Sequence, residues 1–241
     1  LVTIDGSEYF NSESISCSHC LTRHKSNGHV EHYHQVLQPA LVHPDHPQVI
    51  PLSPEFIRRQ DGANKQDCEV VAGMRALKQI RADHRQLPAI IVGDALYSTT
   101  RFIAELVEKR FSYILGVKPA SHKTLFQDVQ GLRRGKMLDR FERTRKDRSR
   151  VVYEWVHDTP LYATDEAPRV NFVEFHLYGA SGKRTRHFSW VTDLAINEEN
   201  VEEFVRAARS RWKIENENFN TLKNHGYHLE HNFGHGSRHL S

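Results

Sequence analysis

The sequence predicts a mixed α/β fold, and three observations predict it. Ala89-Ile90-Ile91-Val92 is apolar at every position and runs into Gly93-Asp94, as a short strand buried on both faces does. Tyr113-Ile114-Leu115-Gly116-Val117 repeats the pattern, and Phe102, Ile103, Leu106 and Val107 between them sit at helical spacing. Strand, helix and strand thus follow one another within ~30 residues, the length of a βαβ unit. Residues 151–192 alternate apolar and polar positions and are broken by Gly179 and Gly182, which predicts antiparallel strands.

The elements follow in order. Residues 1–10 predict a strand that ends near Asp5-Gly6. Residues 29–58 predict two strands joined by a turn at His43-Pro44-Asp45, and Asp61-Gly62 predicts another turn. From about Gln66 the period becomes helical: Val70, Val71, Met74, Leu77, Lys78 and Arg81 fit spacings of three and four up to about Asp83. Ser98 or Thr99 caps the helix that carries Phe102 and Leu106. Strands are expected over Val151–Val156, Val170–Tyr178 and His187–Thr192, and a last helix over Glu198–Asn224, stopping at Gly226.

Composition narrows the function classes. The chain has 241 residues, 38% hydrophobic and 26% charged, and its twelve Phe, eight Tyr and three Trp need a core to pack in. No apolar run approaches the ~18 residues of a membrane span, and residues 1–20 lack a basic region followed by an apolar stretch, so no secretory leader is read there. Three cysteines argue against a disulfide scaffold and suit a reducing, cytoplasmic setting. Leu1 in place of an initiator Met leads us to expect a fragment or processed product. The net charge of +3 hides a pattern: residues 133–150 hold nine Lys/Arg (Arg133, Arg134, Lys136, Arg140, Arg143, Arg145, Lys146, Arg148, Arg150) against Asp139, Glu142 and Asp147. A positive stretch on an otherwise slightly acidic chain suits a polyanion, and it also fits a solvated basic loop.

Three acids stand where structure alone tolerates them poorly. Asp5 ends the first strand. Asp94 follows an apolar strand at its carboxyl end, where ligands of open α/β sheets gather. The third is found by helical projection. At about 100° per residue, Phe204, Ala208, Trp212, Phe219 and Leu222 share a face with Glu215, whereas Glu217 falls opposite. An inward carboxylate needs a cation, and three such acids together offer the oxygen ligands that Mg²⁺ and Mn²⁺ prefer. Each has a plainer reading too: a turn at Asp5-Gly6, a strand-to-helix bend at Gly93-Asp94, and an ion pair of Glu215 with Arg211.

On these residues the chain resembles the DDE transposases of bacterial insertion sequences, of the cut-and-paste type. The resemblance is carried by Thr3-Ile4-Asp5-Gly6-Ser7-Glu8-Tyr9-Phe10, by Ile90-Ile91-Val92-Gly93-Asp94-Ala95-Leu96-Tyr97 and by Arg211-Trp212-Lys213-Ile214-Glu215-Asn216. It implies a ribonuclease H-like mixed sheet flanked by helices and interrupted by an antiparallel β insertion before the last catalytic helix. The divisions would be 1–127 for the first part of the core, 128–193 for the basic and β-rich insertion, and 194–241 for the catalytic helix and tail. It makes Asp5, Asp94 and Glu215 the catalytic, metal-binding triad, with Mg²⁺ or Mn²⁺ as cofactor. The reaction it implies is cleavage of double-stranded DNA at transposon ends, then strand transfer into target DNA, by a dimer once ends are paired, in the bacterial cytoplasm at the nucleoid. Arg211 matches the Arg of the family's last-helix signature. Its tyrosine position is Ala208, and its lysine position is Leu222, one before Lys223. DNA contacts are expected from Arg211, Lys223, Arg133, Arg134, Lys136, Arg143, Arg145, Lys146 and Arg148, the basic stretch positioning DNA without reading its sequence. Two other readings stand beside this one: a DNA-binding remnant without catalysis, and a stand-alone nuclease of the same fold.

Cys17-Ser18-His19-Cys20 is a C-x₂-C pair and Cys68 is the third thiol. A structural Zn²⁺ on Cys17, Cys20 and Cys68 would take a fourth ligand from His24, His32 or His34; the other reading is thiols packed in the core. Five histidines in 225–239 read as a solvated or DNA-contacting tail, and Asp61, Lys65, Asp67 and Glu69 as polar groups around a turn and helix start.

Overall fold

The computed structural model describes residues 1–58 and 65–231, the first four of the second stretch by backbone alone. The turn expected at Asp61-Gly62, the side chains of Lys65, Asp67 and Cys68, and the histidines beyond His231 lie outside the described residues. The fold is mixed α/β, as the patterning predicts, and divides into two units: residues 2–87 with 211–241, and Leu1 with residues 88–210.

The first unit is built on two long antiparallel strands, β1 (Val2–Ser12) and β3 (Val30–His43), paired from Val2 opposite Leu41 to Ser12 opposite His32 with a shift of register between Glu8 and Phe10. Three short strands, β2 (Leu21–His24), β5 (Glu55–Phe56) and β4 (His46–Pro51), pair in succession along β3. Helix α1 (Lys65–Asp83) belongs here, with Ala72, Met74, Ala76, Leu77 and Ile80 buried. The expected β1 terminus at Asp5-Gly6 is corrected: the strand runs on to Ser12. Glycine is what allows this. A Cβ at Gly6 would lie 2.6 Å from Gln35 Nε2 and 2.8 Å from the Glu69 carboxyl, so the strand interior is a place of close approach rather than a turn.

The second unit holds the βαβ element. Strand β6 (Ile90–Gly93) pairs in parallel with β7 (Ser112–Gly116) across helix α2 (Thr100–Glu108). Thr99 is the cap, its side chain accepting from Phe102 N–H at 3.3 Å. Beyond β7 the sheet continues antiparallel through β11 (Arg184–Thr192), β10 (Arg169–Tyr178), β9 (Arg150–Pro160) and β8 (Asp139–Thr144). Helix α3 (Lys123–Arg134) and strand β8 add to the elements that the patterning predicts. The core of this unit joins Val92 and Ile114 to Tyr153, Trp155, Phe175 and Trp190 and to Val201, Phe204 and Val205 of helix α4 (Val201–Arg209).

The expected last helix is present but unevenly wound. After α4 the chain tightens into a 3₁₀ turn (Ser210–Trp212), loosens into a π-helical stretch (Ile214–Phe219) and ends in α5 (Asn220–Asn224). Ile214 and Phe219 pack with Ala40 of β3 in a small core of the first unit.

Candidate active site

Within the first unit, one open cavity of about 510 Å³ is lined by Asp5, Gly6 and Ser7 of β1 and by Glu215, Asn216, Phe219, Asn220, Lys223 and Asn224 of the terminal segment. Arg211 ties its two acids together. Its guanidinium donates from Nη1 to Asp5 Oδ2 at 3.1 Å and pairs through Nη2 with Glu215 Oε1 at 2.8 Å. Residues more than 200 positions apart thus meet on one cation. Asp5 is further fixed by Gly6 N–H, which donates to its Oδ1 at 3.0 Å.

The inward projection of Glu215 is corrected. Its side chain is 51% exposed, and Trp212, projected onto the buried face, is 45% exposed. The projection assumes 3.6 residues per turn. The 3₁₀ turn and the π stretch change that pitch on either side of Lys213, so the buried positions become Lys213, Ile214, Asn218 and Phe219. Glu215 opens into the cavity that holds Asp5, with solvent on its other side. A π stretch inside a helix often marks a functional position.

Lys213 anchors this segment, and no sequence pattern singles it out. Only 8% exposed, it donates its three ammonium protons to three carbonyl oxygens of the β3–β4 turn: His43 at 2.5 Å, His46 at 2.6 Å and Pro44 at 3.2 Å. An ammonium has three donors and no acceptor, so the turn satisfies it completely. Glu69, expected among the polar groups around the helix start, has a different place. It is buried beside Gly6 and accepts from Gln35 Nε2 at 2.9 Å, which is packing between strand and helix rather than capping. The signal was available only in the glycine opposite it.

Asp94 lies in the other unit, immediately after β6. Its Oδ1 accepts from Leu96 N–H at 2.8 Å and its carbonyl from Tyr97 N–H at 3.2 Å, an Asx-type turn that holds the carboxylate at the strand's end. Ser98 braces the turn, donating to Ala95 O at 3.0 Å and meeting buried His122 Nε2 at 3.0 Å.

The basic residues divide by what they touch. Arg133 keeps a side chain 39% exposed while its guanidinium is engaged by the buried carboxylates of Glu154 and Glu174, so it is a cation shared between the sheet face and solvent. Burial alone would push the Glu174 carboxyl up. Hydrogen bonds from His176 and His187, with the charge of Arg133, outweigh that and hold it well below the carboxylate range. Arg143 pairs with Glu202 at 3.2 Å, and Lys223 with Glu230 at 2.6 Å. Arg134 and Lys136 are exposed at the end of α3, and Arg145, Lys146 and Arg148 are exposed at the β8–β9 turn. Arg145 has companions the sequence does not connect with it. The Arg209 guanidinium is lowered first by burial and then by the charges of Arg186 and Arg145, which marks a cluster of three cations.

Cys17, Cys20 and His34 converge, with both sulfurs 3.4 Å from His34 Nε2. His34 therefore stands where the expectation left a choice with His24 and His32, and Cys68 lies outside the described side chains. A second group, Glu174, His176 and His187, also gathers possible ligand atoms, but its carboxylate is already engaged by Arg133.

Among the described residues no helix is long and apolar enough to cross a membrane. Of the solved structures, the NurA nuclease from Sulfolobus solfataricus is similar at 12% identity, with 85% of this chain and 71% of that one covered and a TM-score of 0.41. Comparison with curated proteins finds no match. The family model for the transposase DDE domain matches residues 23–241. The chain belongs to the DDE transposase family.

Proposed function

We propose that the chain carries out the metal-dependent DNA chemistry of an insertion-sequence transposase, cleaving at transposon ends and joining them to target DNA, with Asp5, Asp94 and Glu215 as its catalytic acids. The observation that carries this reading is Arg211 bridging Asp5 and Glu215, two acids that line one open cavity. Two carboxylates sharing a tethered guanidinium form a place that demands positive charge. Their oxygens are the hard donors that suit Mg²⁺ or Mn²⁺, so the residues fit the cofactor. Asp5 and Glu215 would hold it in this unit, and Asp94 would supply a further oxygen ligand.

A divalent ion bound there stabilises charge on the scissile phosphate and lowers the pKa of the attacking hydroxyl. The chain's own groups do the positioning. Arg211 and Lys223 hold phosphate oxygens beside the acids. The amides of Asn216, Asn220 and Asn224 line the same cavity and can donate to the sugar-phosphate chain. Exposed Arg134, Lys136, Arg145, Lys146 and Arg148, with Arg186 and Arg209, take the flanking backbone of double-stranded DNA without reading bases. No protein nucleophile is required, because water and then a freed 3′-hydroxyl attack phosphorus in turn. Pairing two ends implies a dimer on DNA.

The test is a cleavage and strand-transfer assay with Mg²⁺ or Mn²⁺ on DNA carrying the element's ends, with a gel shift run in parallel. Asp5→Asn, Asp94→Asn and Glu215→Gln should each lower cleavage by at least about a hundredfold and leave DNA affinity within about threefold. Full activity in any of them removes that residue from the triad. DNA binding without cleavage by the unaltered chain would favour a remnant, and cutting without joining a nuclease.

A further inference from the structure

We propose that Cys17, Cys20 and His34 form a Zn²⁺ site that fastens the β1–β2 connection to strand β3. The three ligand atoms form a nearly regular triangle: the sulfurs are 3.7 Å apart, and each is 3.4 Å from His34 Nε2. Tetrahedral zinc fixes those edges. With Zn–S of about 2.3 Å and Zn–N of about 2.0–2.1 Å, the S–S edge is about 3.8 Å and each S–N edge about 3.6 Å. The triangle matches all three to within about 0.2 Å. The sulfurs are too far apart for a disulfide, whose bond is about 2.0 Å.

Local structure presets the triangle. Cys20 N–H donates to Cys17 O at 3.2 Å, closing the C-x₂-C turn, and Cys17 N–H donates to Cys20 Sγ at 3.3 Å. Both sulfurs are thereby turned to one side, toward His34. The imidazole is held from the sheet. His34 lies opposite Phe10 in the β1–β3 register, its ring stacked on Tyr9 at 5.7 Å and tilted against Phe10 at 5.8 Å. His19, the histidine between the cysteines, is exposed with its Nδ1 on Ser18 Oγ at 3.2 Å, so it is not a member. Two soft thiolates and an imidazole select zinc over the Mg²⁺ or Mn²⁺ of the acidic cavity. The site is therefore separate from the proposed catalytic ions in both place and chemistry; among the described residues it has three protein ligands, and a fourth position remains for solvent or a further group.

The test uses the full chain, expressed with zinc in the medium and freed of loose metal by dialysis. Metal content by mass spectrometry should give about one zinc per chain. Cobalt(II) added to chelator-stripped protein should give the thiolate charge-transfer absorption and strong visible bands of a tetrahedral site. Cys20→Ser should retain less than about a tenth of the zinc. Because Cys20 is 2% exposed and its loss can disturb folding, His34→Gln is measured beside it and should weaken zinc binding at least about tenfold. Unaltered protein with less than about a fifth of an equivalent of zinc and no cobalt bands would overturn the site. So would a folded His34→Gln variant that binds zinc like the parent. Cleavage is not read, so failure here leaves the reading of the acidic cavity untouched.

Discussion

Replacing Arg211 by Met keeps the length of the side chain and removes its charge, and the two consequences should have opposite signs. At a charge separation of about 4 Å and an effective dielectric near 20, the Arg211–Asp5 attraction is about 4 kcal/mol. Desolvation and side-chain ordering consume most of that, leaving about 1 kcal/mol for a partly buried pair. The pair to Glu215 reaches a side chain half in water, so screening reduces it to about 0.3–0.5 kcal/mol. Arg211→Met should therefore cost about 1–2 kcal/mol, or about 2–8 °C in Tm for a chain of this size. The variant then holds Asp5 and Glu215 with no tethered cation between them. If that cation offsets about 1.4 kcal/mol of repulsion, Mn²⁺ should bind about tenfold tighter. Thermal melts in chelator and calorimetric titration with Mn²⁺ on the full chain read both effects. A residue that only buttresses the fold would lower Tm and weaken or leave unchanged the Mn²⁺ affinity. That pattern, or an unchanged Tm, refutes the account of Arg211 as the cation that offsets the charge of Asp5 and Glu215.

Three further substitutions probe what surrounds the cavities. Gly6→Ala places a methyl against Gln35 and Glu69, which are bonded to each other, and should cost about 1–3 kcal/mol by overpacking in denaturant melts. Lys213→Met strips three carbonyls of the β3–β4 turn of their donor. It should cost about 1–3 kcal/mol and also slow cleavage, since Lys213 sits between Arg211 and Glu215; wild-type cleavage would deny it a positioning role. Glu174→Gln removes one of the two buried carboxylates that pair with the half-exposed Arg133 and should cost about 1–3 kcal/mol at pH 7. The Glu174 carboxyl titrates below its ordinary 4.5 in the folded chain. Its contribution is therefore complete above about pH 4.5 and lost as pH falls toward the folded value. The stability gap between parent and variant should narrow only below that pH, and a gap that closes near neutrality would contradict the assignment.

The elements that follow from local pattern were legible in the sequence. The all-apolar runs at Ile90–Val92 and Tyr113–Leu115 form the parallel pair, and Thr99 caps the helix between them. The alternation in residues 151–192 forms β9 to β11, and β3 and β4 flank the turn at Pro44-Asp45. What stayed hidden depends on distant partners. Helix α3 buries only Leu125 and Val129, too few positions to show a period, and β8 is almost wholly exposed, with Phe141 as its inward side chain. Arg133 reads as a free cation in the sequence. It is also an ion-pair partner, half in solvent, because β9 and β10 bring the buried carboxylates of Glu154 and Glu174 beneath it.

The terminal segment shows why the candidate site was half legible. A regular projection finds a carboxylate at Glu215 and gives it the wrong environment, because one uniform pitch is assumed from Val201 to Leu222. The pitch changes where it must satisfy Lys213. A buried ammonium costs several kcal/mol unless its protons are all bonded, and the three carbonyls that satisfy it belong to a turn some 170 residues earlier. Seating Lys213 in that turn and Ile214 against Ala40 leaves the neighbouring residues to find their own rotation. The 3₁₀ turn before Lys213 and the π stretch after it absorb the mismatch, exposing Trp212 and swinging Glu215 to the cavity that Asp5 lines. The strain of an irregular helix is therefore offset by an ion-to-carbonyl anchor, and its product is a carboxylate facing a strand acid across one guanidinium. On this account Lys213, bonded to the β3–β4 turn and not itself a member of the proposed triad, sets the geometry that the chemistry needs.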